Sequence, residues 1–328
     1  MQSIAFNGTE FIQSDQDTPL PKGFDLLVEI RAISVNPIDT KVRQTIDSKD
    51  TTAKILGYDA SGVVVAVGEK VTQFKPTDQV FYAGDVTRDG SNATHQLVDE
   101  RIVGHKPKSL DFKHSAALPL TAITAWESLF DRLRLNQNDK DKTLLLIGAA
   151  GGVGSIAIQL AKKVIGLKVV ATASRTKSQD WCKKMGADVV LDHKDLPSQF
   201  EENNLTAPDF ILCMGHPDAY FETMAELIAP QGLICALPSA GRDYDLNLLK
   251  NKSAGFVWEF MFTRPMFKTH DIIKQQEILE EIASMVDAGE IQTTLKQILS
   301  PINIDNINRA HELIEKGSMI GKMVITNE

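Results

Sequence analysis

Four glycines stand within seven residues, between the apolar run TLLLI and the amphipathic run SIAIQLAKK. Glycine lets the backbone approach a ligand closely, and the free amide groups and dipole at a helix start favour a phosphate group. The strand, turn, helix and strand have the lengths of a dinucleotide-binding unit, which disfavours the alternative of a tight turn without a ligand. The predicted pyrophosphate turn consists of Ala150, Gly151, Gly152, Val153 and Gly154.

This turn departs from the usual G-x-G-x-x-G pattern at one position. Ala149 replaces the first glycine, while Gly151 and Gly154 remain. The expected consequence is a slightly wider turn, and the cofactor prediction does not depend on it.

The next apolar run, KVVATA, ends in a hydroxyl and a cation. Sites that select NAD usually place Asp or Glu about 20 residues beyond the glycines, where the carboxylate binds the ribose hydroxyls. Here that position is Ser174, followed by Arg175 and Lys177, all of which can donate to a 2′-phosphate. The sequence therefore favours NADPH over NADH. The alternative is a solvated helix start with chance cations.

Residues 143 to 258 alternate between short apolar runs and helical stretches such as GSIAIQLAKKVIG and AYFETMAELI. Continuous apolar strands separated by helices indicate a parallel sheet covered on both faces. We therefore predict a doubly wound domain. Its predicted strands are TLLLIG, KVVATA, ADVVLD, DFILCM and GLICAL.

The first 120 residues contain short β-rich runs between turn residues, which indicates a compact and mostly antiparallel domain. AALPLTAITAWESLFDRL has helical spacing and predicts a connecting helix, while GKMVITNE predicts a strand that returns to the first domain. The predicted domains are 1–123, completed by 295–328, and 124–294.

Composition narrows the class of protein. A chain of 328 residues has room for two domains. With 35 Lys and Arg against 43 Asp and Glu, the net charge is −8, so nucleic acid is not an expected partner. No apolar run approaches the length of a membrane span, and the N-terminus lacks the layout of a secretory signal, so we predict a cytosolic location.

Seven stretches carry a family resemblance: SVNPIDTKVR, LGYDASGVVVAVGEKV, AALPLTAITAWESLFDRL, IGAAGGVGSIAIQLAKK, MGADVVLDH, WEFMFTRPMF and AHELIEKGSMIGKMV. The chain resembles the medium-chain dehydrogenase/reductase superfamily, particularly its quinone oxidoreductase branch and the zinc-type alcohol dehydrogenase-like proteins. The resemblance implies an α/β fold with an N-terminal GroES-like β-rich domain and a Rossmann domain built on a doubly wound parallel sheet. It also implies a cofactor cleft between the domains and a homodimer formed through the Rossmann sheets.

The zinc ligands of the zinc-dependent relatives are missing at the matching positions. Asn36 stands where those relatives have a cysteine, and Tyr58, followed by Asp59, stands where they have the histidine of a GHE motif. No cysteine precedes Cys182, and the histidines of the first domain lack ligand spacing. We therefore predict no catalytic zinc ion.

The resemblance also assigns roles to individual residues. Asn36 and Tyr58 are expected to donate to a substrate oxygen, although the alternatives are a turn-capping Asn and a packing Tyr. Thr124, at the predicted start of the connecting helix, is expected to contact the cofactor or to cap that helix. Lys322 is expected to reach a cofactor phosphate or to be a surface lysine.

Further cofactor and substrate contacts are implied by the same resemblance. His193 is expected near the adenine or at a loop cap, and Met214 and Leu237 are expected to contact the cofactor. The aromatic segment WEFMFTRPMF is expected to contribute an apolar substrate pocket, with a core or dimer-contact role as the alternative. The predicted pocket residues are Trp258, Phe260 and Phe262.

Without a metal to polarise a simple ketone, substrates that delocalise charge are favoured. The leading hypothesis is therefore an NADPH-dependent reductase of quinones or of activated carbonyl and enone compounds. Two alternatives stay open: a zinc-dependent alcohol dehydrogenase with unusual ligands, and an NADPH-binding redox sensor without turnover.

Overall fold

The computed structural model describes residues 1–47 and 53–327. The chain divides into two compact units. Unit 1 comprises Met1–Ile123 and Met261–Glu328, and unit 2 comprises Thr124–Phe260. No helix among the described residues combines the length and apolar character needed to span a bilayer.

The strands are β1 (Gln2–Phe6), β2 (Phe11–Asp15), β3 (Asp25–Ser34), β4 (Lys54–Ile55), β5 (Ala60–Val67), β6 (Gln79–Tyr82), β7 (His95–Asp99), β8 (Val103–His105), β9 (Thr143–Ile147), β10 (Lys168–Thr172), β11 (Val189–Leu191), β12 (Phe210–Cys213), β13 (Leu233–Ala236), β14 (Gly255–Trp258), β15 (Leu295–Leu299) and β16 (Lys322–Thr326). The α-helices are α1 (Pro37–Thr45), α2 (Phe112–Ala116), α3 (Pro119–Trp126), α4 (Gly152–Leu160), α5 (Thr176–Met185), α6 (Leu196–Glu202), α7 (Pro217–Leu227), α8 (Asn247–Lys250), α9 (Thr263–Phe267), α10 (Lys274–Asp287) and α11 (Ile304–Glu315).

Unit 1 is built around a seven-stranded sheet. Its main order is β15-β16-β3-β5-β6-β8, and β7 also pairs with β3. The central β3 pairs antiparallel with β5, β7 and β16, in line with the predicted antiparallel domain. Strand β16 is buried along its whole length and returns to β3 as predicted, with Val324 opposite Ser34. A smaller sheet has the order β2-β1-β4.

Unit 2 is built on a six-stranded parallel sheet of order β11-β10-β9-β12-β13-β14. Every residue of β9 is buried, as expected for a strand covered on both faces. The chain adds strands on one side of β9 and then on the other, so the strand order reverses between β9 and β12. The predicted doubly wound sheet is confirmed, with the strand order of a Rossmann fold.

One strand and one boundary differ from the sequence prediction. GFVW forms the sixth strand, β14, although its sequence predicted only an apolar stretch. Residues 261–294 belong to unit 1, so the predicted return at residue 295 is wrong. The physical reason is the packing of α10, whose Glu280 accepts from the backbone N of His105 at 2.8 Å and contacts its Nδ1 at 2.7 Å.

Candidate functional site

The glycine-rich turn begins directly after β9. Gly148 has a φ of +81°, a left-handed conformation that glycine adopts without steric cost. Its backbone N donates to Thr172 Oγ1 at 2.9 Å, and the backbone N of Ala149 donates to the Thr172 carbonyl at 3.2 Å. The left-handed residue of the turn is therefore Gly148, which explains why a buried alanine is accommodated at position 149.

The last two glycines of the pattern have different surroundings. A Cβ on Gly151 would have no heavy atom within 4 Å, whereas a Cβ on Gly154 would lie 2.3 Å from the Ala149 carbonyl oxygen. Helix α4 starts at Gly152, so its first amide groups lie beside the open position at Gly151. This arrangement fits a pyrophosphate group, because it combines open space with a helix N-terminus.

The other predicted cofactor residues of the Rossmann sheet follow the carboxyl ends of its strands. Because the strands are parallel, these ends share one edge, and ligands of such sheets bind where the strand order reverses. The residues are Ser174 and Arg175 after β10, His193 after β11, Met214 after β12 and Leu237 after β13. Met214 and Leu237 are half-buried, and His193 is exposed with Nδ1 3.2 Å from Asp192 Oδ1.

The end of β10 carries the predicted specificity rim. Ser174, Arg175 and Lys177 are all exposed, and α5 begins immediately after Arg175. The backbone of Arg175 is held by Ser178, whose Oγ accepts from Arg175 N at 3.1 Å and donates to Arg175 O at 2.7 Å. No carboxylate occurs from Ser174 to Gln179, so this helix start can receive a dianionic group.

In unit 1, the Lys322 ammonium group is buried beside β3. Its Nζ donates to Asn36 Oδ1 at 2.5 Å, to Asp59 Oδ2 at 3.1 Å and to the Val35 carbonyl at 3.3 Å. The Lys322 residue is only 4% exposed, and Asn36 and Asp59 are each 1% exposed. Lys322 is therefore not a surface lysine, and its predicted contact with a cofactor phosphate stays a prediction.

The Asn36 amide is directed into the protein. Its Nδ2 donates to Asp59 Oδ2 at 2.9 Å and to the Tyr58 carbonyl at 3.2 Å. Asn36 occupies the N-cap position of α1, and Asp39, the third residue of the helix, accepts from its backbone N. The amide is thus held by Lys322, Asp59 and the Tyr58 carbonyl, while the position of Asn36 at the start of α1 keeps the turn-capping alternative open. Its predicted donation to a substrate stays a prediction.

Two buried carboxylates accompany this lysine. Asp59 Oδ1 accepts from the backbone N of Leu120 at 2.8 Å, at the start of α3. Asp39 Oδ2 accepts from the backbone N of Asn36 at 2.7 Å. Burial raises the pKa of Asp59, with Lys322 acting against it, and raises the pKa of Asp39 to about 7 despite the Asn36 amide. Their spacing in the sequence gave no sign of this shared site.

Tyr58 is fully buried, with its ring in edge contact with Phe262 at a centroid distance of 5.6 Å. The described residues provide no hydrogen-bond partner for its hydroxyl. Burial, and secondarily the Asp39 charge, raise the pKa of this phenol, so it stays protonated. Among the residues predicted to donate to a substrate, Tyr58 thus has an uncommitted O–H group.

The remaining predicted residues lie at different places. Thr124 is buried well inside α3, which begins at Pro119, so the capping alternative is wrong; its cofactor contact stays a prediction. Trp258 and Phe260 belong to unit 2 and Phe262 to unit 1, and the predicted pocket stays a prediction. Trp258 packs edge-on against Phe256 with a centroid distance of 4.9 Å.

Lys322, Asn36 and Asp59 form a buried hydrogen-bonded group, here called the Lys322 cluster, and this group does not fit a zinc ion. Zinc prefers thiolate, imidazole and carboxylate ligands, but here an amide and a carboxylate already bind an ammonium group. Across residues 1–47 and 53–327, no three histidine, cysteine, aspartate or glutamate side chains form a group suited to a metal. We therefore derive no chemistry through zinc.

Comparisons with known proteins find two family matches along the chain. Residues 22–108 match the alcohol dehydrogenase GroES-like domain, and residues 185–325 match the zinc-binding dehydrogenase family. The first match confirms the predicted GroES-like character of the N-terminal β-rich domain.

Similar proteins match over nearly the whole chain. A zinc-type alcohol dehydrogenase-like protein of Staphylococcus aureus is 48% identical over 323 residues, covering 97% of this chain and 95% of that protein. The 2-methylene-furan-3-one reductase of Solanum lycopersicum is 30% identical, covering 96% of this chain and 74% of that protein. The crystal structure of a putative zinc-dependent alcohol dehydrogenase from Rhizobium etli is 45% identical, with a TM-score of 0.94 and coverage of 99% and 98%.

Proposed function

Because the chain belongs to the zinc-type alcohol dehydrogenase-like proteins of the medium-chain dehydrogenase/reductase superfamily, we propose that it is an NADPH-dependent reductase of quinones or of enones and related activated carbonyl compounds, acting without catalytic zinc. The observation that carries this proposal is the exposed rim of Ser174, Arg175 and Lys177 at the carboxyl end of β10.

Each part of the Rossmann edge has a role in holding the cofactor. The open position at Gly151 and the start of α4 receive the pyrophosphate, and the rim receives the 2′-phosphate. A guanidinium binds a phosphate through two parallel hydrogen bonds, whereas an Asp or Glu at this rim would repel it. The same residues thus favour NADPH over NADH.

The substrate class follows from the groups available for polarising it. Bound NADPH supplies the hydride. The Tyr58 hydroxyl, which stays protonated, donates a hydrogen bond to the substrate oxygen, and a neutral donor suffices where conjugation spreads the negative charge. The name of the tomato relative denotes reduction of a methylene ketone, which supports the enone class.

The direct test compares coenzyme binding in two charge-reversal variants. We expect Arg175→Asp to weaken NADPH binding about 10- to 100-fold and to leave NADH binding nearly unchanged, because only NADPH carries the 2′-phosphate. Lys183→Asp, an exposed change of the same charge farther along α5, is the control and should alter neither. Fluorescence titration measures both affinities. Equal loss for the two coenzymes in Arg175→Asp would contradict the rim assignment.

Turnover with NADPH across a panel of quinones and enones tests the reaction itself. We expect NADPH oxidation with these acceptors and the same rate after treatment with a strong chelator. A rate that disappears with the chelator would favour the zinc-dependent alternative. NADPH binding without reduction of any acceptor in the panel would reject the enzyme assignment.

We also propose a homodimer formed through the Rossmann sheets. Strand β14 stands at the end of the sheet order, and Trp258 and Phe260 beside it are 44% and 42% exposed. We expect Phe260→Arg to produce monomers in sedimentation velocity, while Phe267→Arg, at a 73% exposed position of unit 1, keeps the dimer. Wild-type protein that sediments as a monomer would reject this proposal. The quinone or enone substrate and the cytosolic location also stay predictions.

A further inference from the structure

The buried cluster around Lys322 has no role in the cofactor binding proposed for the rim and the glycine turn, so its function needs a separate explanation. We propose that Lys322 is a positioning residue whose ammonium group fixes Asn36 and Asp59, and through them the backbone of Tyr58 and the start of α3. The inference rests on the proposed function only for its catalytic readout.

The ammonium group has as many hydrogen-bond acceptors as it has donors. A lysine carries three N–H groups, and Nζ of Lys322 has three acceptors: Val35 O, Asn36 Oδ1 and Asp59 Oδ2. Satisfying every N–H group compensates the desolvation of a buried charge. All three acceptors belong to unit 1, which is where we propose that the group acts.

Two branches lead outward from this ammonium group. In the first, Asn36 accepts from Lys322 and donates through Nδ2 to the Tyr58 carbonyl at 3.2 Å. In the second, Asp59 receives Lys322 on Oδ2 and the backbone N of Leu120 on Oδ1. The tyrosine backbone and the first turn of α3 are thus held by one cation.

The type of residue supports positioning over simple stabilisation. Well-packed apolar residues in place of a buried ion pair are often as stable as the pair or more stable. A fully hydrogen-bonded cation, however, fixes its acceptors in direction as well as distance. A hydroxyl that must meet a substrate oxygen needs placement within about 0.5 Å, and this arrangement can supply it.

The experiment separates charge balance from positioning with two variants. Lys322→Met removes the cation and keeps most of the side-chain volume, while Lys322→Met/Asp59→Asn removes both charges. Lys168→Met, an exposed lysine at the start of β10, is the control. The measurements are melting temperature, the NADPH dissociation constant, kcat and KM for a quinone, and hydrogen exchange of the peptide containing Leu120.

We expect Lys322→Met to lower kcat about 10- to 100-fold, as for a misplaced catalytic group, with the NADPH dissociation constant within about twofold of wild type. Exchange of the Leu120 amide should become faster. The double variant should recover most of the melting temperature, because no unpaired charge remains, but it should not recover kcat. That split between stability and kcat supports positioning.

Three results would overturn the proposal. If the double variant recovers kcat together with stability, Lys322 only neutralises the charge of Asp59 and does not position other residues. Loss of NADPH affinity in proportion to kcat in Lys322→Met would make it a cofactor contact. Unchanged Leu120 exchange in Lys322→Met would remove the branch through Asp59. If none of the tested quinones and enones supports NADPH oxidation by the wild-type protein, the proposed function is wrong. The hydrogen-exchange measurement then still decides whether Lys322 positions the start of α3.

Discussion

Gly154 lies so close to Ala149 that a Cβ on the glycine would come within 2.3 Å of the alanine carbonyl oxygen. Real Cβ atoms do not approach backbone oxygen so closely, so α4 would have to move away from the end of β9. Gly154 therefore serves the packing of helix against strand. Gly151 has open space around its α-carbon, and we propose that this space admits the ligand.

Replacing each of the two glycines by alanine should distinguish the packing role from the ligand-binding role. We expect Gly154→Ala to lower the free energy of unfolding by about 1–3 kcal/mol, because the helix must shift. Gly151→Ala should leave unfolding of the free protein nearly unchanged and weaken NADPH binding, because its methyl group occupies the approach of the pyrophosphate. Chemical denaturation and coenzyme titration measure the two effects. Equal losses of stability in both variants would contradict this division.

Two buried tyrosines provide a matched test of the proposed donor. The hydroxyls of Tyr58 and Tyr82 both lack a hydrogen-bond partner among the described residues. Removing such a group relieves an unsatisfied buried dipole, so Tyr58→Phe and Tyr82→Phe should each keep or raise stability by about 1 kcal/mol. Only Tyr58→Phe should lower kcat, because only Tyr58 is assigned to the substrate oxygen.

Melting curves and steady-state kinetics with a quinone or an enone check this pair. A fall in kcat of similar size in Tyr82→Phe would show that general packing, and not a hydroxyl donor, governs turnover. Full activity in Tyr58→Phe would remove Tyr58 from the mechanism.

The Rossmann unit was predictable because its signals are local. An apolar strand, a glycine turn and an amphipathic helix follow one another from Thr143, and their order alone indicates a parallel sheet. Strand β14 escaped prediction because its four residues continue into the largely apolar stretch that follows, so no turn residue marks where the strand ends. The return at Met261 escaped because it depends on contacts of α10 with β8.

The Lys322 cluster shows the limit of sequence reasoning more directly. Asn36 and Tyr58 were identified by resemblance, but the hydrogen bond between Lys322 and Asn36 joins residues 286 positions apart. No periodicity or spacing encodes such a contact. A possible signal was Asp59 itself, since a carboxylate between apolar runs requires a partner when buried.

An ion pair in unit 2 joins a fully buried carboxylate to a half-buried guanidinium and leads to a stability prediction. Arg132 Nε lies 2.6 Å from Glu259 Oε2, and the Glu259 side chain is 0% exposed. Arg132→Met should lower the free energy of unfolding by about 3–5 kcal/mol, because it leaves a carboxylate buried without its cation. Lys274→Met breaks a contact of the same length with Glu277, where both side chains are 54% exposed, and should cost less than about 1 kcal/mol.

Urea denaturation of both variants checks the contrast, and Arg132→Met/Glu259→Met extends it. The double variant should recover most of the stability, because it removes the unpaired carboxylate together with its partner. Similar small losses in Arg132→Met and Lys274→Met would show that the Glu259 carboxylate tolerates burial alone.

The buried His311 is expected to make the stability of the protein depend on pH. This residue is fully buried, its ring stands edge-on to Phe11 at a centroid distance of 5.1 Å, and no described residue bonds its nitrogens. Burial, with the Arg43 charge, lowers the pKa of His311 from 6.5 to about 4. Above pH 6.5 the histidine is neutral in the folded and unfolded chains, so its contribution to stability is fully present.

Between pH 6.5 and 4 the unfolded chain binds a proton at His311 that the folded chain excludes, so acidification favours unfolding. Integrated to pH 4, this loss is about 3 kcal/mol. The raised pKa of Asp39 acts in the opposite direction over the same range, so wild-type protein alone does not isolate the histidine. The difference between wild type and His311→Leu does, since Asp39 is common to both. We expect the free energy of unfolding of His311→Leu, relative to that of wild type, to rise by about 3 kcal/mol from pH 7 to pH 4 in denaturant titrations. A constant difference across that range would mean that His311 takes up its proton equally well in the folded protein.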